Sequence, residues 1–157
     1  MGNGFDLGLS VVALITTLLL AVIAWIDWRT WRIPDTCTAT LLIWAGVQLL
    51  WPGRLHLGEA LAGLIIGGGG FSLLAWLGRG GLGWGDVKFA AALGALLGFP
   101  AILYGLSLGM VLAGMAAGGL LLTGRAGRKD AFAYGPYLAL GGWLIYLMTL
   151  HLLAWQS

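Results

Sequence analysis

Residues 7–26 read LGLSVVALITTLLLAVIAWI, twenty consecutive positions without Asp, Glu, Lys or Arg. A helix needs about 20 mostly apolar residues to cross ~30 Å of hydrocarbon, so this stretch is predicted to span a bilayer. The same reading extends outward. Residues 36–53 and 60–78 are also free of charge, and so are residues 89–124. This last run is too long for one span and is interrupted by Gly98-Phe99-Pro100. Proline removes a helix hydrogen bond and disfavours helix at the residue before it, so two spans are predicted there. Residues 131–157 supply the last. The expectation is an all-α, polytopic membrane protein with about six transmembrane helices, forming a single domain over residues 1–157.

Composition agrees. Hydrophobic residues make up 60% of the 157 and charged residues only 9%, against roughly 25% charged in an ordinary soluble domain. The 28 glycines and nine tryptophans fit packed membrane helices with two water–lipid boundaries. A net charge of +2 with scattered basic residues gives no footprint for nucleic acid, so the expected partner is the lipid bilayer. A single cysteine, Cys37, excludes an internal disulfide and a multi-cysteine metal site. No metal and no cofactor is expected.

Basic residues prefer the cytoplasmic side. With six spans, Arg29, Arg32, Arg79, Lys88, Arg125, Arg128 and Lys129 fall on one side and Arg54 on the other. That asymmetry places the N-terminus outside and the three charged connections inside. The first span is not read as a removable signal peptide, because its short leader carries Asp6 rather than Lys or Arg.

Residues 78–85 contain a G-x-G-x-x-G string. No strand precedes it and no βαβ unit surrounds it, so a dinucleotide site is rejected. The pairs Gly63/Gly67, Gly94/Gly98, Gly105/Gly109 and Gly114/Gly118 are spaced for close helix contact and are read as packing.

The six carboxylates carry the functional information. Asp6, Glu59 and Asp130 are read as solvated residues at helix ends or in loops. Asp27, Asp35 and Asp86 gather on the inner side. From Asp86 to the Gly98-Phe99-Pro100 turn is about a dozen residues, or ~18 Å of helix. Asp86 is therefore expected some way below the inner boundary, reached by a glycine-rich segment. Non-helical backbone at depth needs a covering of protein or a water-filled cavity, and an ionisable residue there is functional by default. Two aspartates meeting in such a cavity can share a proton, one acting as base and the other as acid toward a water and a peptide carbonyl. Cys37 has no evident histidine partner, since His56 and His151 both fall on the outer side and are read as boundary residues.

Three segments resemble one family. Gly83-Trp84-Gly85-Asp86-Val87-Lys88 matches the G-x-G-D-x-K motif of type IV prepilin peptidases, membrane-embedded aspartic proteases. Ile26-Asp27, followed by Arg29, Arg32 and Ile33-Pro34-Asp35, is similar to their first aspartate region. Tyr134-Gly135-Pro136-Tyr137-Leu138-Ala139 is similar to a Phe-Gly-Pro-Tyr stretch of the same family. The resemblance implies that Asp27 and Asp86 are the catalytic pair, supported by Pro34, Asp35, Gly83, Gly85 and Lys88. Asp35 aligns with a position that carries Asn or Asp, and is expected to act as the N-cap of the second span. Lys88 is expected either near the aspartates or as a boundary anchor, and Arg29 and Arg32 to orient the first span.

The resemblance also implies the substrates: type IV prepilins or pseudopilins, cut after Gly at the cytoplasmic face of the bacterial inner membrane. Longer members add an N-terminal region with paired C-x-x-C motifs and N-methyltransferase activity. Nothing in this chain corresponds to it, so a short, peptidase-only form is expected. Two rivals are an ion or proton transporter using the buried aspartates as a relay, and a non-catalytic component of a pilus or secretion assembly. Neither has a reason to reproduce the three motifs together.

Overall fold

A computed structural model describes residues 3–51, 55–78, 82–123 and 133–156. They form six helices: α1 (Asn3–Thr30), α2 (Asp35–Gln48), α3 (Leu57–Leu77), α4 (Trp84–Leu97), α5 (Ala101–Leu122) and α6 (Gly135–Gln156). No strand occurs among the described residues. Four helices, α1, α3, α5 and α6, are long and apolar enough to cross a membrane. The other two have 14 residues each, or ~21 Å of helix. The shortness of α4 was legible in the sequence, whereas that of α2 was not. The apolar run predicted as residues 36–53 leaves the helix after Gln48 and turns through Leu49, Leu50 and Trp51.

The basic residues Arg54, Arg79, Arg125, Arg128 and Lys129, and the acidic Asp130, lie outside the described residues, as does the side chain of Asp6. Gly80, Gly81 and the predicted span ends at Gly53, Gly124, Ala131 and Ser157 lie outside them too.

The short α4 is the centre of the bundle. It touches α2, α3, α5 and α6, and Val87, Phe89, Ala90, Ala92, Leu93, Leu96 and Leu97 are buried along it. A helix apolar all round belongs inside. The outward faces of the long helices expose Leu14, Leu18, Val22, Ile65, Val111 and Met115, as surfaces that meet lipid rather than water do.

Small residues let α4 sit deep. A Cβ placed on Gly63 of α3 would press on the Gly94 carbonyl and lie 2.9 Å from the Gly98 Cα. One on Gly67 would press on the Ala90 carbonyl. Gly105 and Gly109 of α5 similarly receive Gly141, Gly142 and Leu138 of α6. These contacts place three of the predicted glycine pairs at helix interfaces. The fourth is a correction: a Cβ on Gly114 or Gly118 would meet nothing within 4 Å, so those two positions are not close-contact sites.

The chain reverses between α4 and α5 where the proline predicted a break. Gly98 takes φ +72°, the Phe99–Pro100 peptide is cis, and the Phe99 N–H donates to the Glu59 carbonyl at 3.0 Å. Between α1 and α2 the reversal uses Trp31 at φ +57°, a left-handed conformation that costs a residue with a Cβ about 1 kcal/mol or more.

A buried polar cluster ties α1, α2 and α6 together. Thr16 Oγ1 receives the Trp44 Nε1–H at 2.8 Å and lies 2.9 Å from the Tyr146 hydroxyl. The Gln48 side chain donates to Thr16 at 3.2 Å and accepts from Tyr146 at 3.0 Å. Thr16 and Tyr146 are fully buried, so each polar atom needs these partners.

Candidate active site

Asp27 lies in the last turn of α1, and only 3% of it is exposed. Its burial follows from α6 crossing the end of α1: Oδ2 accepts the backbone N–H of Gly135, the first residue of α6, at 3.0 Å. Asp86 lies in the first turn of α4. Its Oδ2 reaches back to accept the N–H of Gly83 at 3.3 Å, which satisfies a donor left free at a helix start. Asp86 is half-buried. The two carboxylates lie on different helices, far apart in the chain.

Two further contacts bring the aspartate segments together. Gly85 rests on the connection between α1 and α2, where a Cβ would lie 3.3 Å from the Ile33 carbonyl oxygen and 3.4 Å from its Cβ. Lys88, one turn along α4, forms a 2.7 Å ion pair with Asp35 Oδ1 at the start of α2. Both side chains are largely exposed, 51% and 75%, so the pair adds little stability on its own.

The expected N-cap role of Asp35 is corrected here. Pro34 occupies the cap position, with no side-chain cap hydrogen bond, and Asp35 is the first residue inside α2. The Pro34 carbonyl accepts the N–H groups of Cys37 at 3.0 Å and Thr38 at 3.4 Å. Proline fixes the backbone for the helix start, and the Asp35 side chain is thereby free to take Lys88. An acidic residue in the first turn still suits the helix dipole. Lys88, expected near the aspartates or as a boundary anchor, is exposed and takes Asp35 as its partner.

Other predicted residues fall into place at the periphery. The Glu59 carboxylate accepts the His56 N–H at 3.1 Å, an end-cap as read from the sequence. Arg29 stacks over the Trp25 ring at 4.8 Å, which fits an anchor for the end of α1. Gly135 was not singled out as a site residue, although it touches Asp27. The signal was its place in the Tyr134-Gly135-Pro136 segment, where a Gly-Pro pair opens a helix. Beside it an apolar groove of about 350 Å³ runs between α1 and α6, lined by Thr17, Ala21, Ala24, Pro136, Ala139 and Trp143 among others.

Comparison with known proteins bears on this arrangement. Residues 14–123 match the type IV leader peptidase family. The chain is 34% identical over 144 residues to a prepilin leader peptidase/N-methyltransferase of Aeromonas hydrophila, a match that covers 88% of this chain and 49% of the relative. It is 39% identical over 131 residues to leader peptidase HopD of Salmonella typhimurium, covering 75% of this chain and 80% of that one. With leader peptidase HopD of Escherichia coli the identity is 35% over 155 residues, covering 89% and 94%. The chain thus spans about half the length of the peptidase/N-methyltransferase relatives and most of the HopD proteins. No solved structure matches it.

Proposed function

The chain belongs to the type IV leader peptidase family, and from that premise we propose that it is an aspartic endopeptidase of type IV prepilins or pseudopilins. It removes their short basic leader after a glycine, at the cytoplasmic face of the inner membrane. The observation that supports this reading is the packing of Gly85, next to Asp86, on Ile33 in the connection that follows Asp27. Nearby carboxylates do not readily both ionise, so the pair holds one shared proton. The ionised member takes a proton from a water, whose oxygen attacks the scissile carbonyl carbon. The protonated member hydrogen-bonds the carbonyl oxygen as charge builds on it. The peptide nitrogen then accepts a proton, the C–N bond breaks, and a leader carboxylate and a new amino terminus result. Gly83 leaves room for the Asp86 carboxylate that folds back on it, Gly85 lets the turn close on Ile33, and Pro34 sets the α2 end of that contact.

A substrate helix hides its carbonyls in hydrogen bonds, so the cut belongs where a leader meets an apolar helix and the chain can unwind. Glycine before the cut favours such non-helical backbone and permits close approach to two carboxylates.

The test is purified protein incubated with a full-length type IV prepilin, with product termini read by mass spectrometry. Wild type should cut after the leader glycine. Asp27→Asn and Asp86→Asn should each be inactive while folding normally. Replacing the substrate glycine by Val should stop cleavage, and Ala should slow it less. Cleavage that survives in either Asn variant, or cuts inside the apolar helix, would overturn the proposal.

A further inference from the structure

The catalytic reading requires Asp27 to present its carboxylate toward Asp86 in one orientation. What holds it is backbone. Gly135 donates its N–H to Asp27 Oδ2 at 3.0 Å in a buried setting. The contact is as tight as a side-chain-free residue allows. A Cβ on Gly135 would lie 2.6 Å from Oδ2, 2.9 Å from Cγ and 3.1 Å from Cβ of Asp27. Any other amino acid at this position would bring a Cβ within 3 Å of the carboxylate, so the Asp27 side chain would have to shift.

The donor itself is fixed. Gly135 is the first residue of α6, so its N–H has no partner within the helix. The first turn of α6 is closed by the Tyr134 carbonyl, which accepts the N–H groups of Tyr137 and Leu138 at 3.1 Å each. Leu138 is fully buried and packs against Gly109 of α5. Pro136 fixes the backbone angle immediately after the donor. The N–H that meets Asp27 is therefore anchored to the core of the bundle.

From this we propose that Gly135 is a positioning residue for catalysis: its N–H clamps one oxygen of Asp27, and its missing side chain makes room for the clamp. The clamp commits Oδ2 and leaves Oδ1 to the water and to Asp86. The proposal rests on Asp27 belonging to the catalytic pair. It extends that reading to a group which acts through Asp27 and not on the substrate. Shifting a catalytic group by about 1 Å costs on the order of 100-fold in rate.

The test compares three variants with wild type and Asp27→Asn in prepilin cleavage, each normalised to folded protein. Gly135→Ala should lower kcat about 100-fold with KM within twofold. Tyr146→Phe is the stability control, because it strips a partner from the buried Thr16 and Gln48 about three turns along α6 from Gly135 without touching Asp27. It should lose thermal stability yet keep its kcat. Pro136→Gly adds no atom and loosens the turn that carries the donor, so kcat should fall several-fold. If Gly135→Ala does not fold, Pro136→Gly decides. The inference is overturned by wild-type kcat in Gly135→Ala, by wild-type kcat in Pro136→Gly, or by equal losses of kcat in Gly135→Ala and Tyr146→Phe. With Asp27→Asn inactive, those results would leave the peptidase reading standing. A wild-type rate in Asp27→Asn would overturn both.

Discussion

Replacing Gly63 by Ala tests whether α4 is held against α3 by the absence of side chains. The new Cβ would lie 2.9 Å from the Gly98 Cα and 3.0 Å from the Gly94 carbonyl carbon, with the Gly94 oxygen nearer still. Carbon atoms settle at about 3.5–4.0 Å. The two helices must therefore part by roughly 0.5 Å or more, and both sides of the contact are backbone that cannot swing away. Overpacking of this kind costs about 1–3 kcal/mol. The strain has a direction. Asp86 lies on the same helix as Gly94, about two turns nearer the N-terminus, so displacing α4 moves its carboxylate relative to Asp27. Loss of stability and loss of rate should therefore occur together in Gly63→Ala.

The opposite substitution is available in the same protein. Gly114 and Gly118 have open space where a Cβ would go, and Ala is preferred to Gly within a helix by about 0.8–1.0 kcal/mol. Gly114→Ala and Gly118→Ala should raise the unfolding temperature and leave cleavage unchanged. Thermal unfolding in detergent, with prepilin cleavage measured on the folded protein, reads both arms. Equal behaviour of Gly63→Ala and Gly114→Ala would refute the reasoning, because the same substitution would then be insensitive to whether a helix faces it.

The remaining expectations use other contacts. Asp35→Asn and Lys88→Ala should each keep most of the cleavage activity and change stability by less than about 1 kcal/mol, since the pair they break is exposed. Activity as low as in Asp86→Asn would show that the catalytic pair is misassigned. Tyr146→Phe should lower stability by about 1–3 kcal/mol by stripping a partner from the buried Gln48 and Thr16, with kcat unaffected. An unchanged melting curve would show the cluster to be idle. In a Cys37→Ala background, cysteines at positions 54 and 157 should label from outside with an impermeant thiol reagent, and those at 79 and 128 should not. The reverse pattern would put the aspartates on the wrong side for a prepilin leader.

What the sequence disclosed and what it withheld divide along a physical line. Charge-free length, the break at Pro100 and the two carboxylates Asp27 and Asp86 at helix ends are properties of side chains, and side chains are what a sequence spells. The α4–α5 reversal appeared where proline required it, and the short fourth helix followed from counting residues between Asp86 and that turn. The end of α2 was hidden because Leu49, Leu50 and Trp51 are as apolar as the helix before them. The left-handed Trp31 was hidden because no glycine marks it. Gly114/Gly118 looked like Gly63/Gly67 because a four-residue spacing defines a face and not a neighbour, and only the fold decides which face is met. Gly135 is the sharpest case. The group it contributes is an N–H that every residue except proline carries, so nothing in its letter announces a donor. What the letter does announce is an absence. In a chain with 28 glycines that signal is drowned by packing, and it becomes readable only when the fold shows an Asp27 carboxylate standing within 3 Å of where a Cβ would have been.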